Sequence, residues 1–481
     1  MIFTSGEIAA TNRSNGVIFT VGEIAAITAG TILGDESAQV AGVSTDSRTI
    51  GVGELFVPLV GPRFDGHAYL PQMGAKGVKV ILCSSAWVAH NQPPAGTTAV
   101  VVSDTLHALG ELAAAHRAKH SLTVIAITGS NGKTTTKEIL ASILGLTGPG
   151  LKTIGNLNNL IGLPLMLFQL NSDHRWAILE MGMSEPGEIH RLARIARPQV
   201  GIVTNVYPAH LESMGSVANV ARAKGELFLQ LPAEGTAIYN TDDPLVTSLP
   251  VPAGVIRRSF GLNAGEVTAK DVTPHGLDGT DFTLRLTTGE IPVRFKGIGS
   301  HLLANALAAS AIAESLGVKA ETIRDGLELF RPVDRRFVVE RLGELTLIDD
   351  SYNANPASME AALSTLAEVK GEGRLFAALG EMLELGPDTE TLHGELGEKA
   401  GKVAWRLYLR GEMAAAVADG ARRAGLSPSA IHLGMSHEEI AARILREAEA
   451  GDLILVKGSR GMAMERVATI IRDSSHCRKE A

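Results

Sequence analysis

The densest chemistry in this chain lies in eight consecutive residues, Thr128-Gly129-Ser130-Asn131-Gly132-Lys133-Thr134-Thr135. They follow a strand-like run and open a helical one. Glycines let the backbone turn tightly, so that successive N–H groups point at one anion. The start of the following helix adds partial positive charge at that point. Lys133 can reach terminal phosphate oxygens, and the Thr134 hydroxyl can ligate Mg²⁺. The strict phosphate-loop pattern places one more glycine where this chain has Ile127, so the segment is a shortened variant. ATP chemistry also needs hard oxygen donors for a metal. Glu180 ends a strand just before Gly182, and His210 follows the next strand in Asn205-Val206-Tyr207-Pro208-Ala209-His210. In a parallel sheet, ligands bind at that carboxyl edge. Lys224, in Ala221-Arg222-Ala223-Lys224-Gly225-Glu226, reads by itself as an ordinary helical lysine.

The elements around these residues alternate. Leu122 to Thr128, Trp176 to Glu180, Val200 to Asn205 and Thr236 to Asn240 read as strands. Helical stretches at Thr134–Leu146 and Val217–Leu231 separate them, which predicts a mostly parallel sheet. Phe260 to Phe295 alternates apolar and polar residues as an antiparallel meander would, and His301–Leu316 is Ala-rich and helical. Upstream, Gly53–Leu59, Val78–Leu82 and Thr98–Val102 read as strands, with helical spacing from Asp104 to His116. Downstream of Pro332, strands at Leu345–Asp349, Arg374–Leu379, Trp405–Leu409 and Leu453–Lys457 alternate with helices. The fold class predicted is α/β with three domains: a small N-terminal α/β substrate domain over 17–118, a central domain like a P-loop ATPase with a parallel sheet over 119–330, and a Rossmann-like domain over 331–481. The first sixteen residues stand apart. Ile2–Ala10 nearly repeats as Ile18–Ala26, and we expect the fold to begin near Val17, with the first copy poorly packed or dispensable.

Composition closes off several classes. A chain of 481 residues fits about three domains. With 45% hydrophobic and 20% charged residues it is not dominantly disordered. Its net charge of −8 argues against a protein that coats nucleic acid or an anionic membrane. Cys83 and Cys477, the only cysteines, make neither a disulfide framework nor a thiolate zinc site. No apolar run approaches the roughly 20 residues that span a bilayer. The N-terminus lacks the basic and apolar regions of a secretion signal. A cytoplasmic protein is expected.

Taken together, the variant loop, the Glu and His on successive strand ends and the Ala-Lys-Gly-Glu segment resemble the Mur ligase family, the ATP-dependent amide ligases of peptidoglycan precursor synthesis. Asp349-Asp350-Ser351-Tyr352-Asn353-Ala354-Asn355-Pro356, Phe64-Asp65-Gly66-His67, Gly155-Asn156-Leu157-Asn158-Asn159, Gly380–Gly386 and Lys457-Gly458-Ser459-Arg460-Gly461 resemble the member that joins D-alanyl-D-alanine to UDP-N-acetylmuramoyl-tripeptide. The Asp-Asn-Pro-Arg segment of the relative that adds a diamino acid is absent.

The resemblance implies roles. Gly129, Ser130, Asn131, Gly132, Lys133, Thr134 and Thr135 would hold the ATP phosphates. Asn240, His301 and Asn305 would lie around the adenine, with Arg336 and Asp350 reaching the nucleotide from the C-terminal domain. Thr134, Glu180, His210 and a carbamylated Lys224 would ligate two Mg²⁺ ions, and Lys133, Lys224 and His210 would be catalytic. Ser47 and Arg48 would bind the UDP. Asp65, Gly66, His67, Asn158, Asn159, Asn353 and Asn355 would face the substrates, UDP-N-acetylmuramoyl-tripeptide and D-alanyl-D-alanine. A monomer is expected. Two alternatives stand beside this reading. One is another Mur-type ligase or a folylpolyglutamate synthase with a different amine acceptor. The other is a nucleotide-switched binding protein, although no guanine-reading Asn/Thr-Lys-x-Asp segment follows the loop.

Overall fold

A computed structural model describes residues 17–333 and 335–477. The expectation about Ile2–Ala10 therefore lies outside the described residues. Three α/β sheets follow one another along the chain. The first has five strands in the order Thr31–Leu33, Thr98–Val102, Val80–Ser84, Glu54–Phe56 and Gly42–Ser44, all parallel except the first pair. The helix Thr105–Ala118 leads out of it, and the Asp104 carboxylate caps its first turn by accepting from the N–H groups of Leu106 and His107.

The central sheet has six parallel strands in the order Gly150–Lys152, Trp176–Glu180, Thr123–Thr128, Val200–Val203, Thr236–Asn240 and Ile256–Phe260. Its sequence is apolar on both faces because both are covered. Alternate residues divide between them. Val124, Ala126, Ala177 and Leu179 pack on one side, in a core continuous with Leu109 and Leu112 of the preceding helix. Ile125, Ile127, Ile178 and Ile202 pack on the other, against Ile139, Leu140 and Ile143 of the helix Lys133–Gly145 and the Ala-rich helix Ser300–Ser315. The phosphate-loop strand is thus central in its sheet and bound to its helix by one apolar face.

The alternating stretch after residue 260 divides differently from the expectation. Phe260 closes the parallel edge strand, and the antiparallel meander begins at Thr268, running through Thr268–Pro274, Thr280–Leu286 and Gly289–Phe295. The edge strand is exposed at Ile256, Arg257 and Arg258 and buried at Ser259 and Phe260, so only its last residue falls within the alternating stretch.

The C-terminal sheet runs Val338–Leu342, Leu345–Asp350, Leu453–Lys457, Leu375–Gly380, Arg406–Arg410 and Ile431–Leu433. Only its first pair is antiparallel. That edge hairpin was not foreseen; Val338-Val339-Glu340-Arg341-Leu342 is too charged to read as a core strand. Among the described residues, no helix is long and apolar enough to cross a membrane.

Candidate active site

The phosphate loop leaves its strand at Thr128, whose hydroxyl donates to the Met181 carbonyl. Two glycines set its path. Gly129 has φ +149°, and a Cβ there would lie 1.8 Å from the Thr204 hydroxyl oxygen. Gly132 has φ +82°, and a Cβ there would lie 2.3 Å from Asn305 Oδ1. No other residue type fits at either position. The tip is braced by the neighbouring strand end. Asn131 N–H donates to Asn205 Oδ1 at 2.8 Å, and the Asn131 carbonyl accepts from the Thr204 hydroxyl at 2.7 Å. Lys133 Nζ donates to the Gly129 carbonyl at 2.7 Å, which holds the ammonium over the loop. Burial lowers the Lys133 pKa to about 8; Glu180 opposes that shift, and Arg336 adds to it.

Beneath the loop, Glu180 is 1% exposed. Register explains its place, since Glu180 stands opposite Ile127, the residue before Thr128. Its Oε2 accepts from the Thr134 hydroxyl at 3.1 Å, and its Oε1 lies 3.1 Å from Lys137 Nζ. Lys224 projects from the helix Val217–Leu229 and is 3% exposed. Burial holds its amine well below the usual lysine range, and the charge of Lys133 adds to that. His210 has φ +54° and pairs through Nδ1 with Glu384 Oε2 at 2.5 Å. Burial lowers its pKa, Glu384 opposes, and the charges of Lys133 and Lys224 lower it further. Five predicted residues, Lys133, Thr134, Glu180, His210 and Lys224, therefore converge on one edge of the central sheet.

The C-terminal domain forms the opposite wall. Asn355 caps the helix Pro356–Val369 by accepting from Ser358 N–H. The same side chain exchanges two hydrogen bonds with the loop residue Asn131, at 3.1 and 2.7 Å. Asn353 Oδ1 accepts from Arg460 N–H, and the Asn353 carbonyl accepts from Lys457. Asn353 and Asn355, two of the four asparagines expected to face substrate, are thus engaged within the protein. Arg336 lies over the Tyr352 ring at 4.0 Å, a flat cationic surface suited to a nucleotide. Asp350 accepts from Phe337 N–H and from the buried Lys457 at 2.6 Å. His301 packs edge-on against Phe337, and burial, with Lys457 adding, lowers its pKa to about 4. Its Nδ1 is buried without a partner. Asn305 accepts from the Thr136 hydroxyl at 3.3 Å, so it packs against the phosphate-loop helix. Asn240 donates to the Thr204 carbonyl at 3.0 Å.

The remaining candidates lie towards the N-terminal side. Ser47 and Arg48 sit in a turn where Arg48 makes a two-pronged contact with Asp46. His67 is 1% exposed. Its Nδ1 meets Asp65 at 2.6 Å, and its Nε2 accepts from Ser84 N–H at 3.0 Å. Both ring nitrogens are committed, so His67 fixes the loop that presents the exposed Phe64 and Asp65, with Gly66 buried beneath. Asn159 accepts from the N–H groups of Ile161 and Gly162 as a turn former, and the Asn158 carbonyl accepts from Gly182 N–H beside Glu180. A cavity of about 900 Å³ lies elsewhere, at the amino ends of the strands beside Ser121, Thr123 and Gln199.

Sequence reasoning missed Lys137, Glu138, Asn205, Glu384 and Lys457. Lys137 carried a signal, a lysine one helical turn after Lys133 and two residues before the buried Ile139. Glu384 lies in the Gly380–Gly386 segment, but its pairing with His210 arises only in the tertiary structure.

The donor chemistry suits Mg²⁺. The Thr134 hydroxyl and the Glu180 carboxylate are hard oxygens side by side. Among the described residues no three His, Cys, Asp or Glu side chains form a cluster that could hold a metal. An oxygen-bearing group on Lys224 would complete the set. The arrangement provides anion-holding N–H groups, a half-buried cation, oxygen donors for a metal and a wall able to exclude water. Those are the requirements of phosphoryl transfer.

Comparison with known proteins agrees. Residues 127–313 match the Mur ligase middle domain, residues 335–460 the Mur ligase glutamate ligase domain, and residues 39–117 the Mur ligase family catalytic domain. The UDP-N-acetylmuramoyl-tripeptide–D-alanyl-D-alanine ligase of Bacillus subtilis (strain 168) is 35% identical over 463 residues, covering 95% of this chain and 98% of that protein. The crystal structure of MurF from Acinetobacter baumannii superposes with a TM-score of 0.87 at 32% identity, covering 95% of this chain and 99% of that one. MurF ligase from Thermotoga maritima in complex with ADP superposes with a TM-score of 0.81 at 28% identity, covering 91% and 98%.

Proposed function

The chain belongs to the Mur ligase family, and from that membership we propose that it joins D-alanyl-D-alanine to UDP-N-acetylmuramoyl-tripeptide in peptidoglycan precursor synthesis, converting ATP to ADP and phosphate. The observation that carries this is the convergence of Lys133, Thr134, Glu180, His210 and Lys224 beneath a loop that Asn355 contacts from the next domain.

A carboxylate is a poor electrophile at neutral pH. An oxygen of the tripeptide's terminal carboxylate attacks the γ-phosphorus of ATP, the bond to the β-phosphate oxygen breaks, and ADP leaves. The neutral amine of D-alanyl-D-alanine attacks the carbonyl carbon of the acyl phosphate, and the amide forms as phosphate departs with that carboxylate oxygen and the proton the amine gives up. Lys133 and the loop N–H groups stabilise the charge that moves onto the leaving phosphate oxygen. Thr134, Glu180 and His210 Nε2 would hold Mg²⁺, with Lys224 contributing a carboxylate-like donor once carbamylated. The metal supplies Lewis-acid neutralisation of the phosphate oxygens. A neutral amine is what reacts with carbon dioxide, and burial favours that form of Lys224. The cross-domain contacts Asn131–Asn355 and His210–Glu384 keep water from the acyl phosphate. Arg48 and Ser47 meet the UDP diphosphate, and the Phe64–His67 loop meets the peptide. Soluble UDP-sugar and ATP substrates support a cytoplasmic site.

The experiment is Lys133→Ala. Ligation should fall at least about 10³-fold, the scale of losing a main electrostatic contact in phosphoryl transfer. UDP-tripeptide binding, measured by calorimetry, should stay close to wild type. Equal loss of both would contradict the division between domains.

A further inference from the structure

A row of alternating charges, buried at its inner end, runs from Glu180 to the surface, and its members beyond Glu180 have no part in the function proposed above. Lys137, one turn after Lys133, has a side chain only 2% exposed. Its ammonium makes three contacts, donating to the Thr153 carbonyl at 2.6 Å and lying 3.0 Å from Glu138 Oε1 and 3.1 Å from Glu180 Oε1. Glu138 in turn pairs with Lys152, which reaches solvent. Thr153 ties the frame together. Its hydroxyl accepts from the Glu180 N–H at 2.9 Å, and its own N–H donates to the Ile178 carbonyl.

A buried carboxylate needs a counter-charge at all times. Glu180 has one within its own protein. Lys137 also has two partners independent of Glu180, namely Glu138 and the Thr153 carbonyl. The ammonium can therefore stay in place when a divalent cation takes the other side of the Glu180 carboxylate. Two cations then share one carboxylate, and their repulsion counts against the metal.

We propose that Lys137 is a positioning residue, the resident counter-cation of Glu180, and that the balance of its hold between Glu180 and Glu138 sets how tightly the site takes a divalent cation. This rests on Glu180 being a metal ligand. Removing the Lys137 charge should tighten metal binding and destabilise the metal-free protein. Neutralising Glu138 leaves Glu180 as the one charged partner of Lys137 among these contacts, and should weaken metal binding.

The test uses Mn²⁺ alone with the full-length chain. Its half-saturation concentration is read from loss of the free-ion paramagnetic resonance signal, beside the melting temperature without added metal. Lys137→Met should bind Mn²⁺ at least about 3-fold more tightly and melt lower, and Glu138→Gln should bind at least about 3-fold more weakly. Lys152→Met removes the same charge further out and should shift affinity less than about 2-fold. Shifts of Lys137→Met and Glu138→Gln in the same direction, no shift, or an equal effect of Lys152→Met would overturn the proposal. Glu138→Gln alone decides the sign if Lys137→Met does not fold. Glu180→Gln separates the two readings. Loss of Mn²⁺ binding there supports the ligand assignment on which this rests, whereas unchanged binding overturns that assignment and the inference with it.

Discussion

At the scale of single residues, what distinguishes Lys224 is where it is buried. The side chain lies beside Lys133, and both effects favour the neutral amine. Carbamylation would convert this amine into an anion beside Lys133. Lys224→Ala should therefore lose most ligation, and short-chain carboxylic acids such as acetate should restore part of it, measured as phosphate released per amide formed. No rescue across a wide concentration range would contradict carbamate ligation. Such residues were unequally legible before the fold was known. Lys133 and Thr134 were legible because their spacing from the glycines is itself the chemistry. Glu180 and His210 were legible from their strand ends. Lys224 reads as any helical lysine, and only resemblance singled it out. Lys137 and Glu384 act through neighbours distant in sequence, which no local pattern encodes.

Elements carry these residues by register and capping. The helix Pro356–Val369 begins at Asn355, whose side chain does two jobs at once, capping its own helix and pairing with Asn131 across the domain boundary. The two jobs can be separated. Asn355→Ala should lower stability by about 1 kcal/mol through the lost cap. It should also raise the KM for ATP by about 5-fold, roughly the worth of one net hydrogen bond. Asn355→Asp keeps the cap acceptor but replaces the donor to Asn131 Oδ1 with an oxygen. It should melt like wild type yet keep the raised KM, and a normal KM in Asn355→Asp would rule out the cross-domain role. Long apolar strands such as Thr123–Thr128 and Trp176–Glu180 were legible almost to the residue. The three-residue strand Gly150–Lys152 and the charged hairpin strand Val338–Leu342 were not, since neither is long or apolar enough to show a period.

For the whole molecule, the N-terminal and central domains behave as one packed unit, since they share a continuous core. His116 lies at that junction, 4% exposed, between Phe19 and Phe168. Burial, with His120 adding, lowers its pKa from 6.5 to about 4. The unfolded chain therefore binds this proton before the folded one does. Stability from His116 is fully present above pH 6.5 and is lost as pH falls towards about 4, by up to about 3 kcal/mol. Denaturant midpoints between pH 7 and 4.5 should fall less steeply in His116→Leu than in wild type; equal slopes would place the acid sensitivity elsewhere. The order of the three domains was legible from alternating strand and helix signals, but the shared core and the contacts across the ATP-binding edge exist only in the assembled fold. The central claim is that an acid is activated by the outermost phosphate of a nucleotide held at residues 129–135. Its most direct test is a single turnover with the tripeptide's terminal carboxylate labelled with ¹⁸O, followed by mass analysis of the phosphate released. The account predicts one ¹⁸O transferred to phosphate for each amide formed and none with Lys133→Ala; unlabelled phosphate accompanying full amide formation would contradict it.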